Sequence, residues 1–305
     1  MGAPRIFLTA GTRVAMMAAL GGAAVLVAQQ PAPTFRAQVQ TVAVYATVSD
    51  RDGRLVPDLP QNAFRIFDNG REVAITTFSN EPQPLTAAVM LDMSGSMNSR
   101  FLRLRTAMLA FIDAMAPPDR ARIGSFGLEI AISPLLTGDH DQLARIVKEE
   151  LWPGGGTPLW NAIRAGMTSL GGESGRRVVI AVTDGDDSRI TVPGWPEPNL
   201  DALGRQALND SFLLYAIGFE GPGLDKKIIE LAERTGGGHA EVQDGADLSV
   251  TLARIAEELR HQYVLGFTPA VLDSRTHKLQ VKLDSSRYRV RARDSYLAAP
   301  DQVTK

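Results

Sequence analysis

The chain has 305 residues, of which 44% are hydrophobic and 22% charged, with a formal net charge of −2 and no cysteine. That length suits one large domain or two modest ones around a sizeable core. The charge balance excludes broad binding to nucleic-acid backbones, which needs a strong basic excess; the lack of cysteine excludes thiol catalysis, zinc ribbons, disulfide scaffolds and lipidation of a mature N-terminal cysteine.

In chain order, Arg5 and Arg13 come first, followed by the unbroken apolar run Val14–Ala28, which Gln29, Gln30, Pro31 and Pro33 end. A basic start, an apolar run and a small residue at its end form the pattern of an export signal. A spanning helix wants about 20 apolar residues, so a retained anchor is the weaker alternative. Residues 1–28 are therefore expected to be a signal peptide cut after Ala28, although Leu26 is not the small residue usually wanted there. The expected location is periplasmic, secreted or envelope-associated, with membrane contact only if the segment is retained.

Residues 29–83 read as a β-rich segment. Val42, Val44, Ala46 and Val48 alternate with less apolar positions, the period of a half-buried strand. Asp52-Gly53 and Asn69-Gly70 are tight-turn pairs between such runs, and Phe64, Ile66, Val73 and Ile75 are the flanking strand residues. Asp50, Asp52 and Gly53 lack the downstream bidentate acid of a calcium loop and read as a hairpin turn.

Over 84–261 the rhythm changes. Leu85–Leu91 is a nearly continuous apolar run, as in a strand covered on both faces. Phe101, Leu104, Met108, Phe111, Ile112 and Met115 then share one helical face, with Pro117-Pro118 as the stop. Strands are expected at Ile123–Phe126, Val178–Val182 and Phe212–Ile217, and helices over 141–151, 159–170, 201–209, 225–234 and 247–260. Such alternation predicts an α/β fold with a doubly wound, mostly parallel sheet and helices on both faces.

After His261 the two-residue period returns. Leu279, Val281 and Leu283 alternate with polar residues, and Tyr288, Val290 and Ala292 with Arg287, Arg289, Arg291 and Arg293. The arginine stripe is expected to be a solvated face guarding a sheet edge, with docking of an acidic partner as its alternative. Segments 29–83 and 262–297 are expected to meet as a small accessory β-domain, followed by a tail at 298–305. His140, His239, His261 and His277 show no metal-ligand spacing and read as incidental.

Ligands of an open parallel sheet bind outside the carboxyl ends of its strands. Asp92, Ser94 and Ser96 follow the first core strand, Thr157 follows Gly154-Gly155-Gly156 just before a helix, and Asp184-Gly185 ends the strand from Val178. Two carboxylates and three hydroxyls, without sulfur or imidazole, form a hard oxygen set that suits magnesium, manganese or calcium. Taken singly, each piece has a plainer explanation: Ser94, Ser96 and Thr157 could cap helices, and Asp184-Gly185 could be a turn. Asp186 and Asp187 read as solvated turn residues.

Asp92-x-Ser94-x-Ser96, Thr157 and Asp184-Gly185 resemble, in order and strand context, the metal-ion-dependent adhesion site of a von Willebrand factor type A domain over roughly residues 84–260. The flanks, with Asp52-Gly53-Arg54-Leu55-Val56 and Tyr263-Val264-Leu265-Gly266-Phe267-Thr268, are similar to those of a group of exported bacterial A-domain-related proteins. His261-Gln262 and the short arginine-rich last strand depart from that pattern. The resemblance implies a Rossmann-like fold and direct ligation of Mg2+ (or Mn2+ or Ca2+) by Ser94 and Ser96. Thr157 and Asp92 would ligate directly or through water, Asp184 would act through water, and an open position would accept an Asp or Glu of a protein partner. Metal-dependent adhesion is the function implied, without catalysis. Two alternatives stand beside it. One is a structural part of an envelope assembly. The other is a hydrolase with Ser94 as nucleophile and His239 as base, against which Asp92 stands where a nucleophile elbow needs glycine.

Overall fold

In a computed structural model, residues 41–185, 187–188, 194–243 and 246–299 are described. The expected signal segment 1–28, Asp186 and the end of the tail lie outside them. Four strands come first: β1 (Val42–Ser49), β2 (Phe64–Asp68), β3 (Arg71–Val73) and β4 (Thr77–Ser79). Then follow β5 (Thr86–Asp92), α1 (Phe101–Asp113), β6 (Arg120–Phe126), β7 (Ile130–Ile132), α2 (His140–Glu149), α3 (Leu159–Ser169) and β8 (Arg177–Thr183). The core closes with α4 (Leu200–Asn209), β9 (Phe212–Phe219), α5 (Lys226–Arg234), β10 (Gly238–Val242) and α6 (Leu248–Arg260). Four more strands end the chain: β11 (Tyr263–Phe267), β12 (Thr276–Leu283), β13 (Arg289–Ala292) and β14 (Ser295–Leu297).

The central sheet has the order β10-β9-β8-β5-β6-β7, parallel except for the antiparallel edge strand β7. Every residue of β5 is buried because helices cover both faces. Ala87, Val89 and Leu91 pack with Met108 and Phe111 of α1, Val147 of α2 and Leu252 of α6. Ala88 and Met90 point the other way, into a core with Ile163 of α3, Ala207 of α4 and Ile228 of α5. This is the doubly wound α/β arrangement the alternation predicts. The chain leaves β5 first to β6 on one side and then to β8 on the other, so the strand order reverses at β5 and a crevice opens there.

The flanks form two further antiparallel sheets, β13-β1-β11-β4 and β14-β12-β2-β3. Each joins strands from before and after the α/β unit. Val44 pairs with Leu265, and Ile66 with Val281. Between the sheets lie Val44, Ala46, Phe64, Ile66, Leu265, Phe267, Leu279 and Tyr296, the inward halves of alternating strands. Asn69 and Gly70 both have positive φ, as the tight β2–β3 hairpin requires. Ile75 lies between β3 and β4, outside both.

Three expectations about this region change. The arginine stripe is a solvated face only in its first half: Arg287 and Arg289 are exposed, whereas Arg293 is buried and donates to the carbonyls of Leu208 and Ser295, and Arg291 pairs with Glu258 of α6. The period-two pattern is right, but the later arginines, at and just beyond the end of β13, turn toward α4 and α6. His277 is not incidental, because it is buried with Nδ1 2.8 Å from Asp68 and Nε2 3.2 Å from Asp273. Asp187 is half-buried and accepts from the Trp160 N–H at 3.1 Å, serving the first turn of α3 as a capping acid would.

Candidate functional site

Asp92 is the last residue of β5, and register pairs its neighbour Leu91 with Val182 of β8. The two strand ends therefore lie side by side, and Thr183 donates to Asp92 Oδ2 at 2.6 Å. Asp92 Oδ1 accepts from the Ser94 N–H at 2.8 Å. The carboxyl group is fully buried, and desolvation holds it above the usual carboxylate range against the opposing effect of hydrogen bonds from Ser94 and Thr183. Asp184 adds to that upward push through its charge.

From Asp92 the oxygens step outward. Ser94 Oγ lies 3.0 Å from Ser96 Oγ, and Ser96 Oγ donates to Asp184 Oδ1 at 3.1 Å. Ser94 and Asp184 are buried and Ser96 is exposed, so the chain of oxygens runs from the sheet to the surface. Ser94 stands at the N-cap of the short 3-10 turn Gly95–Ser99 without capping it through its side chain. Pro158, at the N-cap of α3, offers no side-chain bond either. The caps that do work by side chain are Asp139, Asn199, Asp225 and Asp247, all elsewhere.

The third segment docks by its backbone. Gly95 donates to the Gly155 carbonyl at 3.0 Å, and Gly154 donates to the Met93 carbonyl at 2.6 Å. A side chain on Gly127 would run into the Gly154 carbonyl, and Gly155 has φ +86° and no room against Leu128, so glycine permits both close approaches. Thr157 is buried at the end of this loop; its N–H donates to Ser188 Oγ at 2.6 Å and its carbonyl accepts from the Ser188 N–H at 3.0 Å. Asp92, Ser94, Ser96 and Asp184 are thus joined side chain to side chain or through one backbone N–H, while the Thr157 loop is held against them through the backbone.

Sequence reasoning missed two basic residues here and one buried acid. Arg100 Nη1 lies 2.8 Å from Asp184 Oδ2 and 3.0 Å from the Ser96 carbonyl, which accepts from it. Its Nε is 3.7 Å from Glu220 Oε2, an oxygen that also pairs with Arg103. Glu220 directly follows β9, has φ +52° and is buried. Arg100 and Arg103 are three apart at the start of α1, a helical neighbour relation visible in sequence. Their acids are far away in the chain and are not. Trp195 is half-buried with the Arg164 guanidinium 5.4 Å from its ring, whereas Trp152 and Leu128 beside the glycine loop are 74% and 77% exposed.

Among the described residues, no group of three or more His, Cys, Asp or Glu side chains is placed to hold a metal. The oxygen set is of another kind, two carboxylates with hydroxyls. Oxygens about 3 Å apart match the edge of an octahedron with bonds of about 2.1 Å, the coordination magnesium demands. The oxygen spacings of 3.0 and 3.1 Å suit it, and a cation would offset the burial of Asp92. The residues therefore fit a small divalent ion. A groove of about 590 Å³ between α4 and α5, lined by Asn199, Arg205, Lys227 and Glu230, lies apart from these oxygens.

Comparison with the curated proteins returns no match. Among solved structures, a von Willebrand factor type A protein from Catenulispora acidiphila aligns at 13% identity and a TM-score of 0.50, covering 86% of this chain and 76% of its own. The conserved hypothetical protein BatB from Bacteroides thetaiotaomicron aligns at 15% identity and TM-score 0.47, over 57% of this chain and 98% of its own. The vWF domain of the type V pili tip protein Mfa5 from Porphyromonas gingivalis gives 13%, 0.45, 58% and 95%. Residues 87–186, from within β5 through α3 and β8 to the Asp184 turn, match the family model of the von Willebrand factor type A domain. Over that stretch the chain is similar to von Willebrand factor type A domains, and its α/β unit has the mixed, mostly parallel fold of such proteins.

Proposed function

We propose that the protein binds a protein partner through a divalent cation, Mg2+ or alternatively Mn2+ or Ca2+, held by Asp92, Ser94, Ser96, Thr157 and Asp184. The observation that carries this reading is the convergence of hard oxygen donors from three chain segments at the reversal of strand order, hydrogen-bonded from buried Asp92 out to exposed Ser96. A bound cation supplies positive charge at the surface, where an Asp or Glu of the partner completes its coordination. The chain's own residues fix the donors: Thr183 orients Asp92, the Ser94 N–H holds its second oxygen, and the Gly154–Gly156 loop braces the turn at Met93 and Gly95. Partner choice falls to side chains around the rim, of which Trp152 and Leu128 are exposed. Export to the periplasm, envelope or medium goes with this role.

A serine hydrolase needs a base on its nucleophile. Ser94 Oγ has Ser96 Oγ as its neighbour, and His239, in β10, lies 3.5 Å from Glu233 of α5. A carboxylate two residues before the serine also opposes a developing oxyanion. The reading is therefore a binding protein without catalysis.

Calorimetric titration of EDTA-stripped protein with Mg2+ and Mn2+, beside Asp92→Ala, tests it. One-to-one saturable binding that the variant loses is the expected result; an isotherm unchanged by Asp92→Ala overturns the site. A pull-down with and without EDTA then separates a reversible ligand, released by chelation, from a permanent envelope partner that survives it.

A further inference from the structure

Arg100 sits where a basic residue opposes the proposed role of the site. Its guanidinium holds Asp184 Oδ2 at 2.8 Å, while the other oxygen of the same carboxylate accepts from Ser96. A cation held between Ser96 and Asp184 would meet that positive charge at contact range, in surroundings where Asp184 is only 7% exposed and screening is weak. On the far side of Arg100 stands a second acid. Glu220 is 3% exposed, and its Oε2 is already 3.7 Å from Arg100 Nε. Its Oε1 is buried and has no hydrogen-bond partner among the described residues. A buried carboxylate oxygen without a donor is costly, and a guanidinium is the donor that fits it best. Arg100 is also tied to the Asp92–Ser96 loop itself through the Ser96 carbonyl, so its position and that of the loop are linked.

We propose that Arg100 is an internal counter-cation of the site: it competes with the divalent ion for Asp184 and passes to Glu220 when the ion binds. This rests on the cation-binding reading above. The exchange leaves both Asp184 and Glu220 facing a positive charge before and after, so cation affinity is set by a balance between two seats for one side chain. Arg100 is a positioning residue in this scheme, and Glu220 acts only through it.

The test is calorimetric titration of Mg2+ and Mn2+ into the EDTA-stripped full chain for wild type, R100Q, R100K, E220Q and the double variant R100Q/E220Q, with Asp92→Ala as reference. Removing the competing charge in R100Q is expected to tighten binding about tenfold. R100K keeps the charge and is expected within about threefold of wild type, which a purely structural role of the arginine would not give. E220Q removes the second seat and is expected to weaken binding about threefold to tenfold, an effect that disappears in the R100Q background. R100Q binding no tighter than wild type overturns the proposal, as does an E220Q effect of equal size with and without Arg100. Should R100Q fail to fold, the R100K and E220Q isotherms decide by the same criteria, an E220Q affinity equal to wild type being the overturning result. Binding in wild type that Asp92→Ala abolishes and these variants leave untouched sinks Arg100's role alone; absence of binding in wild type sinks the cation reading with it.

Discussion

Two buried carboxylates in this molecule have opposite surroundings. Asp68, in the β-sandwich, is enclosed by paired strands: one oxygen meets His277 at 2.8 Å and the other accepts from Tyr296 at 3.0 Å. His277 is in turn backed by Asp273. Asp92, in the α/β unit, ends a strand, and beyond its two bonds lies a succession of hydroxyl and carboxylate oxygens leading to solvent. Around Asp68 donors and acceptors alternate and close on themselves, which makes a fastening between β2, β12 and β14. Around Asp92 oxygens accumulate toward the surface, which is the setting the proposed cation would use. Burial and perturbed neighbours alone do not separate the two; the tally of donors against acceptors does.

The contrast can be broken by substitution. The largest expected effect is Asp92→Ala, which should lower cation affinity by more than about 100-fold, since even residues behind a metal ligand are worth 10- to 100-fold. Its melting temperature in EDTA should change little, because a desolvated charge leaves with the lost bonds. A variant that unfolds instead would make Asp92 a fastening too. Asp68→Ala should do the reverse, costing about 3 kcal/mol in urea unfolding by stranding His277 and Tyr296, with an unaltered cation isotherm. Tyr296→Phe removes one bond of the same cluster and should cost about 1 kcal/mol. The smallest effect is expected for Asn199→Ala, at most about 1 kcal/mol: its side chain caps α4 by accepting from the Ala202 N–H at 2.9 Å, and a change in cation affinity there would mean that the helices beyond the site communicate with it.

Much of this was legible in the amino-acid order. Apolar runs announce β5, β8 and β9 because both their faces are covered, and alternation announces β1 and β12 because one face is. The candidate oxygen donors could be named because the carboxyl ends of parallel strands are where ligands bind, and the chain places acids and hydroxyls at those ends. Short edge strands were not legible. β7 has three residues, and β10 reads Gly-His-Ala-Glu-Val, with too little apolar content to announce itself. Nor were the pairings that set the electrostatics, since Arg100 and Asp184 are 84 residues apart and Asp68 and His277 are 209 apart. Arg291 misled for the same reason: its acid, Glu258, belongs to a helix that periodicity alone does not bring to the sheet.

The α/β unit leaves and re-enters the β-sandwich at one point. Gln83 donates to the Arg260 carbonyl at 3.0 Å, and Arg176 donates to the Gln83 and Pro84 carbonyls at 3.2 and 3.1 Å, clasping entry and exit together. Strands from both sides of that junction are zipped antiparallel, β1 to β11 and β2 to β12. The first residues of β1 and β2 lie opposite the last of β11 and β12, so tension drawn along the polypeptide would have to peel those ladders from that end before it reached the inserted unit, whose entry and exit stay clasped behind them.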